Sequence, residues 1–207
     1  MSWSLWLTLV VTGVLISLTP GAGAINTMAN ALGIGWTRSI WGILGQELAL
    51  LLDIVVVAAG VGVIVAGSPV AFNVIRYAGA AYLVILGIRQ WSAPAQPADS
   101  EGAASLTATR LSLIRRGFLV NLTNPKAVVF FLAFMPQFIR PERPLLPQYL
   151  VFAATIVAID VVVMWGFFAA AARGLRRITR TPRGHSTVNR PFGGLFVGMG
   201  ALLATVH

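Results

Sequence analysis

From Met1 to Thr37 the chain carries no charged side chain. As one continuous helix that stretch would span roughly 55 Å, against a hydrocarbon core of about 30 Å, so it must tilt, break or end early. Thr19-Pro20-Gly21 supplies a break: the proline removes a backbone donor and clashes with the preceding turn, and the glycines at 21 and 23 admit unusual backbone angles. The pattern predicts a first helix over 3–33, interrupted near its middle. A second follows over 37–66, with Gly42, Gln46, Ala49, Asp53 and Gly60 on one small or polar face, and Leu50, Leu51, Ile54 and Val55 away from it. Gly67-Ser68-Pro69 ends it, and a third helix is expected over 70–90. The composition then shifts to a Pro/Ala/Ser stretch from Ser92 to Gly102, which reads as a flexible linker. A fourth helix is expected over 112–138 with Asn124-Pro125-Lys126 in its interior, then a proline-rich turn over 140–147, and a fifth helix over 148–172 whose only charge is Asp160. An arginine-rich loop leads to a last apolar run, Pro191 to Val206, in which Gly194 and Gly198 allow close helix contact.

The runs repeat. Gly13 to Gly21 reads GVLISLTPG, and Gly117 to Lys126 reads GFLVNLTNPK. An Asp-Val segment follows each: Asp53 lies 34 residues after Thr19, and Asp160 lies 37 after Thr123. Arg76-Tyr77-Ala78-Gly79 and Arg190-Pro191-Phe192-Gly193 then open a third matched pair. Three landmarks in one order indicate an internal duplication. The expected units are a first three-helix repeat over 1–91, a cytoplasmic linker over 92–111 and a second repeat over 112–207.

Composition places these runs in a membrane. Of 207 residues 57% are hydrophobic and 10% charged, with a mean hydropathy of +0.82, whereas a soluble domain carries about 25% charged residues. A net charge of +9 would suggest nucleic acid in a soluble protein, but 14 of the 15 basic residues are Arg, most of them in two loops, so the charge reads as topology and no nucleic-acid partner is expected. Loops one, three and five hold eleven Arg against two on the other side. That count puts the odd loops in the cytoplasm and both termini outside. With three spans per copy, the second copy inserts upside down. The expected fold is an all-α integral membrane protein of six transmembrane helices, arranged as two inverted three-helix repeats with broken first helices. Ala22-Gly23-Ala24 mimics a signal-peptide cleavage site, but no positive region precedes the apolar run. The chain has no Cys, and its two His, His185 and His207, cannot form a metal cluster alone. No metal, cofactor or thiol relay is expected.

A proline inside a membrane helix frees a carbonyl, which is tolerated where it faces protein, water or a ligand. Two such breaks in inverted copies point to a midplane site lined by Thr19, Pro20, Gly21, Thr123, Asn124, Pro125 and Lys126. Asp53, Asp160, Glu47 and Lys126 lie in apolar runs, where a central charge costs about 2.5–3.5 kcal/mol on insertion scales, so each should pair or face water. The three acids are candidates for proton coupling, with inter-helix locking as the alternative. Lys126 is expected to neutralise one of them or to hold a substrate carboxylate. Arg76 and Arg190 suit interface anchors or a gate. Trp3, Trp6, Trp36, Trp41 and Trp91 fall near span ends, as in an aromatic belt.

Thr19-Pro20-Gly21, the run GAAYLVILGIRQW from Gly79 to Trp91 and the run NPKAVVFFLAFMPQF from Asn124 to Phe138 together resemble the LysE/RhtB family of amino-acid exporters. The likeness covers essentially the whole chain. It implies a carrier of the bacterial inner membrane that exports small amino acids or derivatives, of the threonine, homoserine, homoserine lactone or lysine type, by exchange with protons. The partners implied are a small zwitterionic substrate, protons and the lipid bilayer, with homo-oligomer formation open. The helix-break residues carried over are Thr19, Pro20, Gly21, Asn124, Pro125 and Lys126, and Ala22 stands where the family usually has a second proline. A passive channel, an exporter of another solute and an intramembrane enzyme are the alternatives. The enzyme fares worst, because neither His lies in a clear span to serve as a base.

Overall fold

The computed structural model describes residues 1–67, 69–92 and 108–179, with 190–191, 193–194, 197–198, 200–201 and 204–205. Most of the linker, the loop with Arg180, Arg183 and His185, and the side chains of Arg76 and Pro125 lie outside the described residues. The described residues are helical throughout, apart from short connections.

The uncharged N-terminal stretch resolves into α1 (Trp3–Leu18) and α2 (Ala22–Ile34), bent by 60° at Thr19-Pro20-Gly21. Gly35 then turns the chain with φ 91°, a conformation that favours glycine, into α3 (Trp36–Gly67). The helix α4 (Pro69–Ser92) follows. The predicted fourth helix is likewise two pieces, α5 (Arg110–Leu122) and α6 (Pro125–Phe138), bent by 62°. In this break Asn124 acts as N-cap, its side-chain oxygen accepting from Lys126 N at 3.2 Å, and Pro125 opens α6 where its missing N–H costs nothing.

The fifth helix is longer than expected. It begins as α7 (Leu145–Val161), widens into a π-helical segment from Val162 to Ala169 and ends as α8 (Ala170–Thr179). The π-helical segment had no signal in the apolar pattern, although such segments gather at functional sites. By length and composition, α3 and the α7–α8 run are long and apolar enough to cross a membrane, and each bent pair makes a further crossing when taken as one span.

Glycines bring the helices together. A methyl at Gly45 would fall on the Ile114 carbonyl and one at Gly117 on the Gly42 carbonyl, so α3 and α5 touch backbone to backbone. The last apolar run meets α4 in the same way, a methyl at Gly193 lying 2.6 Å from Gly87 O. The apolar core centres on Leu9, Leu50, Phe130, Phe131, Phe152 and Ile156, with Phe131 and Phe152 edge to face at 6.2 Å. On α3, Gln46, Ala49 and Asp53 are buried as the pattern predicts, but Leu50 and Ile54 are buried beside them. The apolar outer face runs instead through Leu48, Leu51, Leu52, Val55 and Val56.

Candidate functional site

The two breaks meet around one cavity, whose volume open to water centres is about 50 Å³. That is room for a few water-sized groups. Its polar wall holds Ser17, Gly21, Gly23, Gln46, Asn121 and Asn124 with Lys126 and Asp160, and Phe130, Phe131, Leu50 and Met164 form an apolar wall.

Lys126 joins the halves. Its Nζ donates to Thr19 O at 2.7 Å and to Ile16 O at 2.9 Å, the carbonyls at the end of α1 that lie at the break. The negative end of α1 thus faces a cation carried by α6. Gly21 is extended (φ −148°, ψ −168°), and a methyl there would lie 3.6 Å from Lys126 Nζ, an ordinary contact. The N-terminus of α2 beside it has no side-chain cap. Its first N–H groups are therefore available to an anion.

Across the cavity Ser17 donates to Asp160 Oδ1 at 2.7 Å. Asp160 is also close enough to Lys126 to attract it, and Glu47 stands beside it. Both Glu47 oxygens are buried without a hydrogen-bond partner, as is Asp53 Oδ2. A polar chain closes the remaining side. Gln46 Nε2 donates to Thr27 Oγ1 at 3.1 Å, Asn121 Nδ2 to Gln46 O at 3.0 Å, and Asn124 Nδ2 to Asn121 Oδ1 at 3.3 Å.

The structure therefore brings Gly21, Asn124, Lys126 and Asp160 to the cavity wall; behind them stand Thr19, whose carbonyl holds Lys126, and Glu47 beside Asp160, with Pro20 at the turn. Thr123 is not among them: it is exposed and its hydroxyl turns back to Leu119 O at 2.9 Å. Asp53 is buried but does not line the cavity, and Arg190 is exposed at the start of the last run. Ser17 and Asn121 are additions. Each stands two residues before its motif threonine, so the register of the duplication pairs them. Outside the cavity, Trp36 and Trp165 stack at 4.5 Å and exchange hydrogen bonds, Trp36 Nε1 to Trp165 O at 3.0 Å and Trp165 Nε1 to Trp36 O at 3.2 Å. They tie the α2–α3 corner to the π-helical segment.

Broken apolar helices around a charged, apolar-walled cavity are the build of an integral membrane protein. The chain belongs to the LysE type translocator family, which it matches over residues 14–206. It is 44% identical to an uncharacterized membrane protein of Vibrio cholerae, over 97% of this chain and 96% of that one. It is 41% identical to a homoserine/homoserine lactone efflux protein of Salmonella typhimurium, over 100% and 99% of the two chains. A leucine efflux protein of Enterobacter sp. is 29% identical over 97% of this chain and 95% of its own. No solved structure matches.

Proposed function

We propose that this protein exports small amino acids of the homoserine and homoserine lactone type across the bacterial inner membrane in exchange for protons. The reading takes the six spans as two inverted three-helix repeats with both termini outside. Full-length likeness to homoserine/homoserine lactone efflux proteins supports the substrate class. The observation that carries the mechanism is the grip of the α1 carbonyls on Lys126.

Homoserine and its lactone share an α-ammonium, while only the open form has a carboxylate. The carbonyls of Ile16 and Thr19 are acceptors suited to an ammonium, and Lys126 Nζ occupies them as a tethered stand-in. An arriving substrate ammonium displaces it. Lys126 and the uncapped N-terminus of α2 then meet the carboxylate where there is one, and Phe130, Phe131 and Leu50 take the side chain. Asp160, held by Ser17 beside Glu47, exchanges the proton. When the substrate leaves, Lys126 returns to the carbonyls, so the empty carrier is never left with bare acceptors in a dry site. Rocking of the two halves about this volume exposes it to each side in turn.

Counterflow in proteoliposomes tests the reading: unlabelled homoserine inside should drive saturable uptake of labelled homoserine, and a pH gradient should drive net movement. Folded protein that shows no counterflow with homoserine, its lactone, threonine, leucine or lysine would exclude an amino-acid carrier.

A further inference from the structure

Between α2 and α3 runs a seam of small and polar residues. On α2, Gly23, Asn26, Thr27 and Asn30 are buried, and their spacing of three and four residues puts them on one face. Ser39 and Gln46 of α3 are buried as well. Gly42 lies against the α2 face: a methyl there would overlap the Asn30 amide nitrogen and come to 3.6 Å from that of Asn26. The seam starts at the cavity, which Gly23 and Gln46 line, and ends at the Gly35 corner, where Ser39 donates to Trp36 O at 2.6 Å. From Gly23 to Ile34 it covers roughly 16 Å, about half of the hydrocarbon thickness.

Two of its members are unusual. Asn26 and Asn30 are 2% and 0% exposed, and neither the oxygen nor the nitrogen of either amide has a hydrogen-bond partner. Neighbouring Gln46 and Thr27 satisfy one another in the same seam, so a closed amide network can be built there. Buried amides are ordinarily paired. Four unpaired amide atoms one turn apart, in line with the cavity, call for donors and acceptors brought from outside, and a solute carrying both an ammonium and a carboxylate or ester supplies both.

We infer that Asn26 and Asn30 form a second polar subsite, outside the cavity, on the path by which an amino-acid-sized solute passes between the cavity and the membrane face at Gly35; the structure holds that path closed. The inference rests on the carrier reading above. Each amide offers an acceptor and two donors, so the pair can pass an ammonium and a carbonyl along in turn, and Gly42 leaves the opposite wall bare for the passage.

The absence of Cys makes the test direct. Asn26→Cys, Asn30→Cys and, as a control on the outer face, Leu51→Cys each place one thiol in the full chain. Right-side-out and inverted vesicles are treated with a membrane-impermeant cationic thiol reagent, with and without homoserine. The thiols at 26 and 30 should react from the Gly35 face alone and at least fivefold more slowly with homoserine, while the one at 51 stays unreactive. Thiols at 26 and 30 that react from neither face, yet react after denaturation, overturn the proposal. A second variant, Asn30→Leu, is close in volume. The expected result is at least a tenfold loss of homoserine counterflow with thermal stability equal to or above wild type. Lower stability with unchanged counterflow per folded carrier would make the amides structural and likewise overturn the proposal. Counterflow by the wild type, measured in the same vesicles, reports separately on the carrier reading.

Discussion

Replacing Lys126 by Met removes the ammonium while keeping an unbranched apolar stem of similar reach. Ile16 O retains the Thr19 N–H at 3.2 Å, whereas Thr19 O loses its 2.7 Å partner. A buried acceptor left unpaired costs roughly 1–3 kcal/mol, and the lost bond came from a charged donor, so the empty carrier should lose about 2–3 kcal/mol. On the scaling of a 200-residue domain that is about 4–12 °C in Tm. The ligands then separate the two roles of the lysine. Homoserine loses a charged partner for its carboxylate, about 1.5–3 kcal/mol, or roughly a 10- to 150-fold weaker Kd. The lactone has no carboxylate to lose, and its ammonium no longer competes with Nζ for the carbonyls. Lys126→Met should therefore bind the lactone at least as well as wild type does, and regain more of its lost Tm on adding the lactone than on adding homoserine. Thermal unfolding in detergent with each ligand, paired with counterflow of each, measures all of this. Equal loss of affinity for both ligands, or wild-type stability of the empty variant, would refute the tethered-ammonium argument.

Other perturbations reach other parts of the argument. Gly117→Ala puts a methyl onto the Gly42 carbonyl and should lower the yield of folded protein sharply, by about 1–3 kcal/mol of strain, read by size-exclusion profile and Tm; a wild-type profile would contradict the backbone contact. Gly35→Ala forces a side chain to φ 91° and should cost about 1–3 kcal/mol, visible as a lower Tm. Asp160→Asn keeps an acceptor for Ser17 and so should keep the fold, while homoserine counterflow persists and its response to a pH gradient disappears. A response that survives would move proton exchange away from Asp160.

Local chemistry was legible in the sequence, and long-range chemistry was not. The two breaks could be read because a proline in an apolar run disrupts its own helix whatever surrounds it, and both bends fall at the expected residues. The partners at those breaks could not. Lys126 reaches a carbonyl 107 positions away and Ser17 an acid 143 away, and such pairings depend on how whole helices are rotated. The matched spacing of Asp53 and Asp160 suggested equivalent places, yet their offsets from the motif threonine differ by three residues, and only Asp160 faces the cavity. Helical periodicity placed Gln46 on an inner face, but it also set Leu50 and Ile54 outside that face, because a helix surrounded by neighbours buries more than one stripe. The π-helical segment left no trace in an unbroken apolar run.

The cross-bracing of the first break by Lys126 also sets an order of events during synthesis. The carbonyls of Ile16 and Thr19 leave the ribosome 110 and 107 residues before the lysine that bonds to both. At 5–20 residues per second this is a wait of about 5–20 s. Throughout that interval the first bent helix holds a carbonyl that lipid cannot satisfy, so it has to be sheltered by water in the insertion channel or by a chaperone. A chain truncated before α6 keeps an uncapped break, and synthesis of the lysine completes the first helix from a distance.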